Sequence, residues 1–355
     1  MNISLNSDVR ILFSSNSICF RKGIWDYYEV WVDLSSESEK LTKVIFDIAY
    51  ELQKTGVTFI DTDCYSLTEE DLNKLSNVVQ SLMVNQILID SDRFDVNAEL
   101  TKILTGNLYQ LSEKKCSINN KILVITDNEY VAESAVKLAD VIGLSLTVAN
   151  TELLGEMKSL SNCQKVDGIN YEKNLTKIGA LITDYSVIVI CQARLDVLLV
   201  RMINECISQS LNQKRLLLGF VDGPFLHVCS LTPPITADFD SLERRVLARL
   251  EDTALYQMFI NQEQPFIKNL NKGFVPVMNI LMNLLVSEAV LIINTGSSKF
   301  EGRLLSIYVP TFEIQVQDIL KLSTSSTQGV LAKSAFRLQQ IATRRLVNDI
   351  VKRDR

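Results

Sequence analysis

Lys121–Ala149 reads KILVITDNEYVAESAVKLADVIGLSLTVA, and the fold turns on this stretch. KILVIT (Lys121–Thr126) is an unbroken run of β-forming residues, the pattern of a strand buried on both faces. Glu129–Ile142 follows with helical spacing and stops at Gly143, and Leu144–Ala149 is a second strand. The alternation continues downstream. Ser186–Cys191 (SVIVIC) is a strand, Asp196–Ser210 a helix, and Arg215–Val221 (RLLLGFV) another strand. Strands alternating with helices predict a largely parallel sheet covered on both faces. Asp222-Gly223-Pro224 turns the chain into a strand at Phe225–Ser230. Helices at about Asp240–Asn261 and Phe274–Ile293, strands at Leu304–Val309 and Phe312–Val316, and a helix at Val330–Val351 complete the pattern.

The preceding residues follow a different rule. Residues 8–34 alternate apolar and polar positions and divide into three short strands. SSESEKLTKVIFDIAYELQKTG then opens on a serine cluster, places Leu41, Val44, Ile45, Ile48 and Leu52 on one face, and ends at Gly56. Ser66–Gln86 repeats this, with Thr68 followed by Glu69, Glu70 and Asp71, then Leu72, Leu75, Val78, Val79, Leu82 and Met83. Residues 1–90 thus form a unit of winged-helix proportions. Residues 91–118 serve as a connector, with room for a helix near Ala98–Leu111, and residues 119–355 form the α/β domain.

Composition narrows the function classes. Hydrophobic residues make up 47% of 355, enough for a sizeable core, while 13 glycines and six prolines are too few for a turn-rich all-β chain. The net charge of −6 disfavours nucleic acid and anionic membranes as partners. A winged-helix shape suggests DNA, but residues 1–90 carry seven basic side chains against fourteen acidic ones. Residues 333–355 are the reverse, with seven basic and two acidic, and read as a solvated helix face or as a contact for an acidic partner. No signal-peptide pattern opens the chain. The apolar stretch Gly273–Asn294 contains Asn279, Asn283 and Glu288 and reads as a core helix, not a membrane insertion. Seven scattered cysteines without CxxC spacing (19, 64, 116, 163, 191, 206 and 229) suit free thiols in the cytoplasm.

Catalytic signatures are sparse. Phosphate binding at a strand-to-helix turn needs glycines, so that backbone N–H groups can approach the anion. The turn here, ITDNEYVAES, has none, and Asp127 and Glu129 add negative charge; Asp127 or Asn128 reads as a helix cap. His227 is the single histidine and lies in an apolar strand, which favours a structural role.

LNSDVRILFSSNSICFRKGIWDYYEVWVDL (residues 5–34) closely resembles the start of the C protein of streptolysin-type peptide cyclodehydratases, from thiazole/oxazole-modified microcin pathways. FVDGPFLHVCSL (220–231), LERRVLARLEDTALYQMFI (242–260) and VSEAVLIIN (286–294) also look like that family. Arg201 and Asn204 are similar to the Arg-x-x-Asn of ubiquitin-activating-enzyme-like folds. The resemblance implies a winged-helix-like α+β domain that recognises the leader of a ribosomal precursor peptide. A Rossmann-type, ubiquitin-activating-enzyme-like domain without adenylation activity would follow it. No cofactor would be bound by this chain. ATP and Mg would belong to a YcaO-type D protein that closes Cys, Ser or Thr to azolines, and FMN to a B-protein dehydrogenase. A homodimer within the complex is compatible with this. Many relatives hold zinc with two Cys-x-x-Cys pairs; Asp238 and Ser241 stand at the first, and the second falls near Ser325 and Gln328, so zinc is not expected. The alternative is an autonomous ATP-dependent adenylating enzyme.

Peptide capture would use strand addition. The third strand is the expected edge, with Tyr28, Val30 and Val32 on one face and Glu29, Trp31 and Asp33 on the other. Leu75, Val79, Leu82 and Met83 would supply an apolar wall. The spacing alone fits Trp31, Val79 and Leu82 equally well to the core of a small domain. No catalytic residue and no metal ligand is assigned.

Overall fold

The computed structural model describes residues 1–322 apart from 7, 26, 61–64, 92–94, 107–120, 163–167, 211–212, 234 and 262–271. The expected helix Val330–Val351, the basic run 333–355, Ser325, Gln328, Cys64, Cys116 and Cys163 lie outside the described residues. The chain packs as two units, Met1–Asp95 and Val96–Arg355.

The first unit contains β1 (Asn2–Leu5), β2 (Val9–Phe13), β3 (Ser17–Lys22), β4 (Tyr28–Asp33), α1 (Glu39–Thr55), β5 (Val57–Phe59), α2 (Glu69–Val84) and β6 (Leu88–Asp90). The three strands and two helices read from the sequence are present. The structure adds a second antiparallel sheet, in which β1 runs between β5 and β6. Local chemistry sets the helix ends. Ser38 accepts a hydrogen bond from the Leu41 N–H, and Gly56 takes the left-handed conformation that closes α1. Thr68 caps α2 ahead of three acids in its first turn. Ile3, Ile18, Phe20, Leu41, Leu52, Leu75 and Ile87 form the centre of the core. Each large side chain so buried contributes about 1.5–3 kcal/mol.

The second unit begins with α3 (Val96–Thr105), in place of the helix expected near Ala98–Leu111. It continues through β7 (Ile122–Thr126), α4 (Glu129–Ile142), β8 (Leu146–Val148), α5 (Thr151–Ser161), α6 (Gly168–Leu181), β9 (Val187–Gln192), α7 (Val197–Gln209), β10 (Arg215–Asp222) and β11 (Phe225–Leu231). α8 (Phe239–Leu247), α9 (Thr253–Asn261), α10 (Val275–Thr295), β12 (Arg303–Tyr308) and β13 (Glu313–Asp318) follow. The sheet order is β13-β12-β11-β10-β9-β7-β8. The expectation of a largely parallel sheet needs correction. Only β8, β7, β9 and β10 run parallel; β11, β12 and β13 are added antiparallel. The cause is the tight turn at Gly223, with φ +55°, which folds β11 straight back on β10.

Helices cover both faces. Leu154, Met157, Leu175, Ile178, Leu199, Ile203 and Phe239 pack one side with Leu123, Ile188 and Leu218. Val131, Ala135, Ala139 and α10 pack the other with Val124, Val189 and Leu217. α10 is long and apolar enough to cross a membrane by length and composition, yet its Met278, Leu281, Leu285 and Val286 lie in this core. The sheet meets α10 closely at Gly219, where an added Cβ would stand 2.7 Å from Leu285 Cδ1. Two cations tie corners together. Lys214, almost fully buried, donates to the carbonyls of Ile182, Thr183 and Tyr185 at 2.7–2.8 Å beyond the end of α6. Arg215 reaches Thr232, Glu301 and the Gly296 carbonyl.

Candidate functional site

In the order β2-β3-β4, β4 has β3 on one side and, among the described residues, no strand on the other. Its backbone is an open edge of this sheet. The pleat settles which face is which. Val32 is buried and Val30 half-buried against the core, while Trp31 on the opposite face is 56% exposed. Glu29 and Asp33 share the outward face with Trp31. The register builds cross-strand rows there: Arg10–Arg21–Glu29, Leu12–Cys19–Trp31 and Ser17–Asp33. Arg21 lies 3.5 Å from Glu29, and the Trp31 indole N–H donates to Glu29 Oε2 at 3.4 Å. Cys19 is covered between its row neighbours, and burial pushes its thiol up. Asp33 accepts from Ser35, whose backbone and hydroxyl bonds hold its carboxyl below the ordinary value.

Of the inward set, Tyr28 stays half exposed and donates its hydroxyl to Asn85 Oδ1 at 2.9 Å. That bond links β4 to the C-terminal cap of α2, and Asn85 was not singled out from the sequence. Leu75, Val79 and Leu82 are buried and line an apolar void with Ile45, Ile48, Ala49 and Leu52 of α1. No β4 residue lines that void, so these three side chains face α1; Met83 is half-buried against the same core. At the β3–β4 turn Trp25 is almost fully exposed, and the Arg21 guanidinium sits 4.0 Å over the Tyr27 ring.

The second unit has a place where an α/β sheet usually takes its ligand, the point at which strand order reverses, between the C-terminal ends of β7 and β9. Asn128 caps α4 there by accepting from the Val131 N–H. Asp127 turns the other way and accepts from the backbone N–H groups of Ala193 and Arg194, at 3.2 and 3.4 Å. Burial pushes its carboxyl up, against the opposing pull of these bonds. The chain's own carboxylate thus occupies donors that could otherwise hold an anionic ligand. With no glycine in the turn, the residues do not fit a nucleotide phosphate.

Arg201 and Asn204 are both committed within the fold. Arg201 makes a two-pronged pair with Glu243 at 2.7 Å, Tyr256 donates to the same carboxylate at 2.8 Å, and Asn204 Oδ1 accepts from the Phe239 N–H. Asp238 caps α8 by accepting from the Ser241 N–H and hydroxyl at 2.9 and 2.6 Å. This pair is a helix cap, and its donor set does not fit zinc. Among the described residues no three His, Cys, Asp or Glu side chains converge as metal ligands. His227 lies between Phe220 and Phe225 with Ser306 Oγ 2.9 Å from Nδ1; burial lowers its pKa.

No family model matches the sequence. No curated protein matches it either. Similar solved structures include a heterocyclase in complex with substrate and cofactor (12% identity, TM-score 0.45, 92% of this chain and 39% of that one). E. coli MccB with ATP gives 12% identity and TM-score 0.45 over 92% of this chain and 99% of that one. The E. coli microcin synthetase McbBCD complex gives 11% and 0.40 over 92% and 100%. The chain therefore spans about two fifths of the heterocyclase chain. Likenesses of this degree assign no activity.

Proposed function

We propose that this chain is the leader-binding subunit of an azoline-forming peptide cyclodehydratase, and that it captures its peptide on the open edge of β4. The observation that carries the reading is the edge itself, a strand paired on one side only among the described residues, whose outward face presents an exposed indole. An extended leader would take up the free backbone donors and acceptors of Tyr28–Asp33, with alternate side chains beside Glu29, Trp31 and Asp33. Met83 and the Tyr28–Asn85 bond would border the other side, while Leu75, Val79 and Leu82 hold α2 against α1 behind it. The crevice filled by Asp127 and the committed Arg201 and Asn204 support a scaffold without its own adenylation. In this reading ATP and Mg act on a YcaO-type partner and FMN on a dehydrogenase partner. The precursor's Cys, Ser or Thr side chains are presented to them, all in the cytoplasm.

The test is fluorescence anisotropy with the labelled leader of a Cys/Ser/Thr-rich peptide encoded beside this chain. The expected result is saturable binding that Trp31→Ala weakens about tenfold, the scale of a lost aromatic anchor. Unchanged affinity in the folded variant would sink the proposal.

A further inference from the structure

We infer that the strand accepted by β4 carries a basic–x–apolar–x–basic pattern, the two basic residues lying beside Glu29 and Asp33 and the apolar one beside Trp31. The inference rests on the edge-capture reading and adds the chemistry of the occupant. Side chains on one face of a sheet meet directly across neighbouring strands, and opposite charges or paired apolar groups there favour the pairing, while like charges oppose it. The rows ending at β4 fix what an incoming strand meets. One row runs Arg10, Arg21, Glu29 and ends at the edge in an acid that Arg21, 3.5 Å away, neutralises only from the inner side. The next runs Leu12, Cys19, Trp31 and leaves the indole. The last ends in Asp33, whose Ser35 bonds stabilise the ionised carboxylate at the rim. Two acids therefore flank one aromatic at alternate positions. The added strand meets the same three side chains in either direction, because alternation survives reversal. The surroundings act in the same sense. Residues 1–90 carry twice as many acidic as basic side chains, so a cationic peptide is drawn in and an acidic one repelled.

The experiment pans a displayed library of random twelve-residue peptides against the full-length protein, then measures the enriched peptides by anisotropy. The expected result is enrichment of Lys/Arg–x–apolar–x–Lys/Arg. Changing both basic residues of an enriched peptide to Glu should weaken binding about tenfold, and raised salt should weaken the parent peptide but not its charge-reversed form. Glu29→Lys/Asp33→Lys protein should reverse the preference; both positions lie on the outward face, and circular dichroism checks the fold. If enriched peptides lose binding on Trp31→Ala yet show no basic preference, the charge pattern is overturned while edge capture stands. If no peptide is enriched, or the winners bind Trp31→Ala and Asp33→Lys proteins unchanged, capture at β4 falls and the pattern with it.

Discussion

Trp31 and Leu82 show how burial separates a binding residue from a folding one. Trp31 is more than half exposed, so Trp31→Ala should leave stability within about 0.5 kcal/mol while weakening leader binding. Leu82 is buried, and Leu82→Ala should cost about 2–5 kcal/mol in denaturant melts. The sequence could not make this distinction, because the alternation in DYYEVWVDL does not say whether the Trp31 face meets core or ligand, and α2 presents its leucines identically to either. His227 invites a pH test. Burial depresses its folded pKa below the ordinary value near 6.5, with Asp222 pulling weakly the other way. The stability it contributes is present above that value and lost as pH falls through the folded pKa. Melting temperature should therefore drop on acidification below about 6.5, and His227→Gln should flatten that slope. An identical slope in the variant would assign the effect to the carboxylates.

At the level of elements, one carboxylate ties α8 to both α7 and α9, beside the bond from the Phe239 N–H to Asn204. Glu243 is nearly fully buried and serves both Arg201 and Tyr256. Glu243→Ala would strand a half-buried guanidinium and a phenol, at a cost of about 3 kcal/mol by chemical denaturation. Asp238→Ala, losing only a cap, should cost about 1 kcal/mol. Elements with strong periodicity were legible, among them α1, α4, α7, β7, β9 and β10. The misses have local causes. β1, β5 and β6 are three or four residues long, too short for alternation to register. The single helix expected over Asp240–Asn261 divides because Asp252 accepts from the Leu255 N–H and starts α9 afresh. α5 and α6 were not assigned, although Asn150 caps the first in the ordinary way.

For the molecule as a whole, the capped turn after β7 predicts that titration with ATP and Mg gives no binding heat, and the Asp238–Ser241 cap predicts metal analysis far below one zinc per chain. Tight ATP binding would instead revive an autonomous adenylating enzyme. The α/β class followed from the alternation of strands and helices. The antiparallel half of the sheet did not, since a two-residue turn reverses a strand without altering its composition. The cell's partners of this chain are equally silent in its periodicity. Which cysteines, lysines and edges remain accessible depends on packing that only three dimensions display.

Lys214 illustrates the point. All three of its ammonium hydrogens are held by main-chain oxygens inside the fold, and the side chain is almost fully buried, although that burial also pulls its pKa down. Acylating reagents applied to native material should label surface lysines and pass this one by. Its delayed modification would then time the fraying of that corner and offer a chemical clock for partial opening.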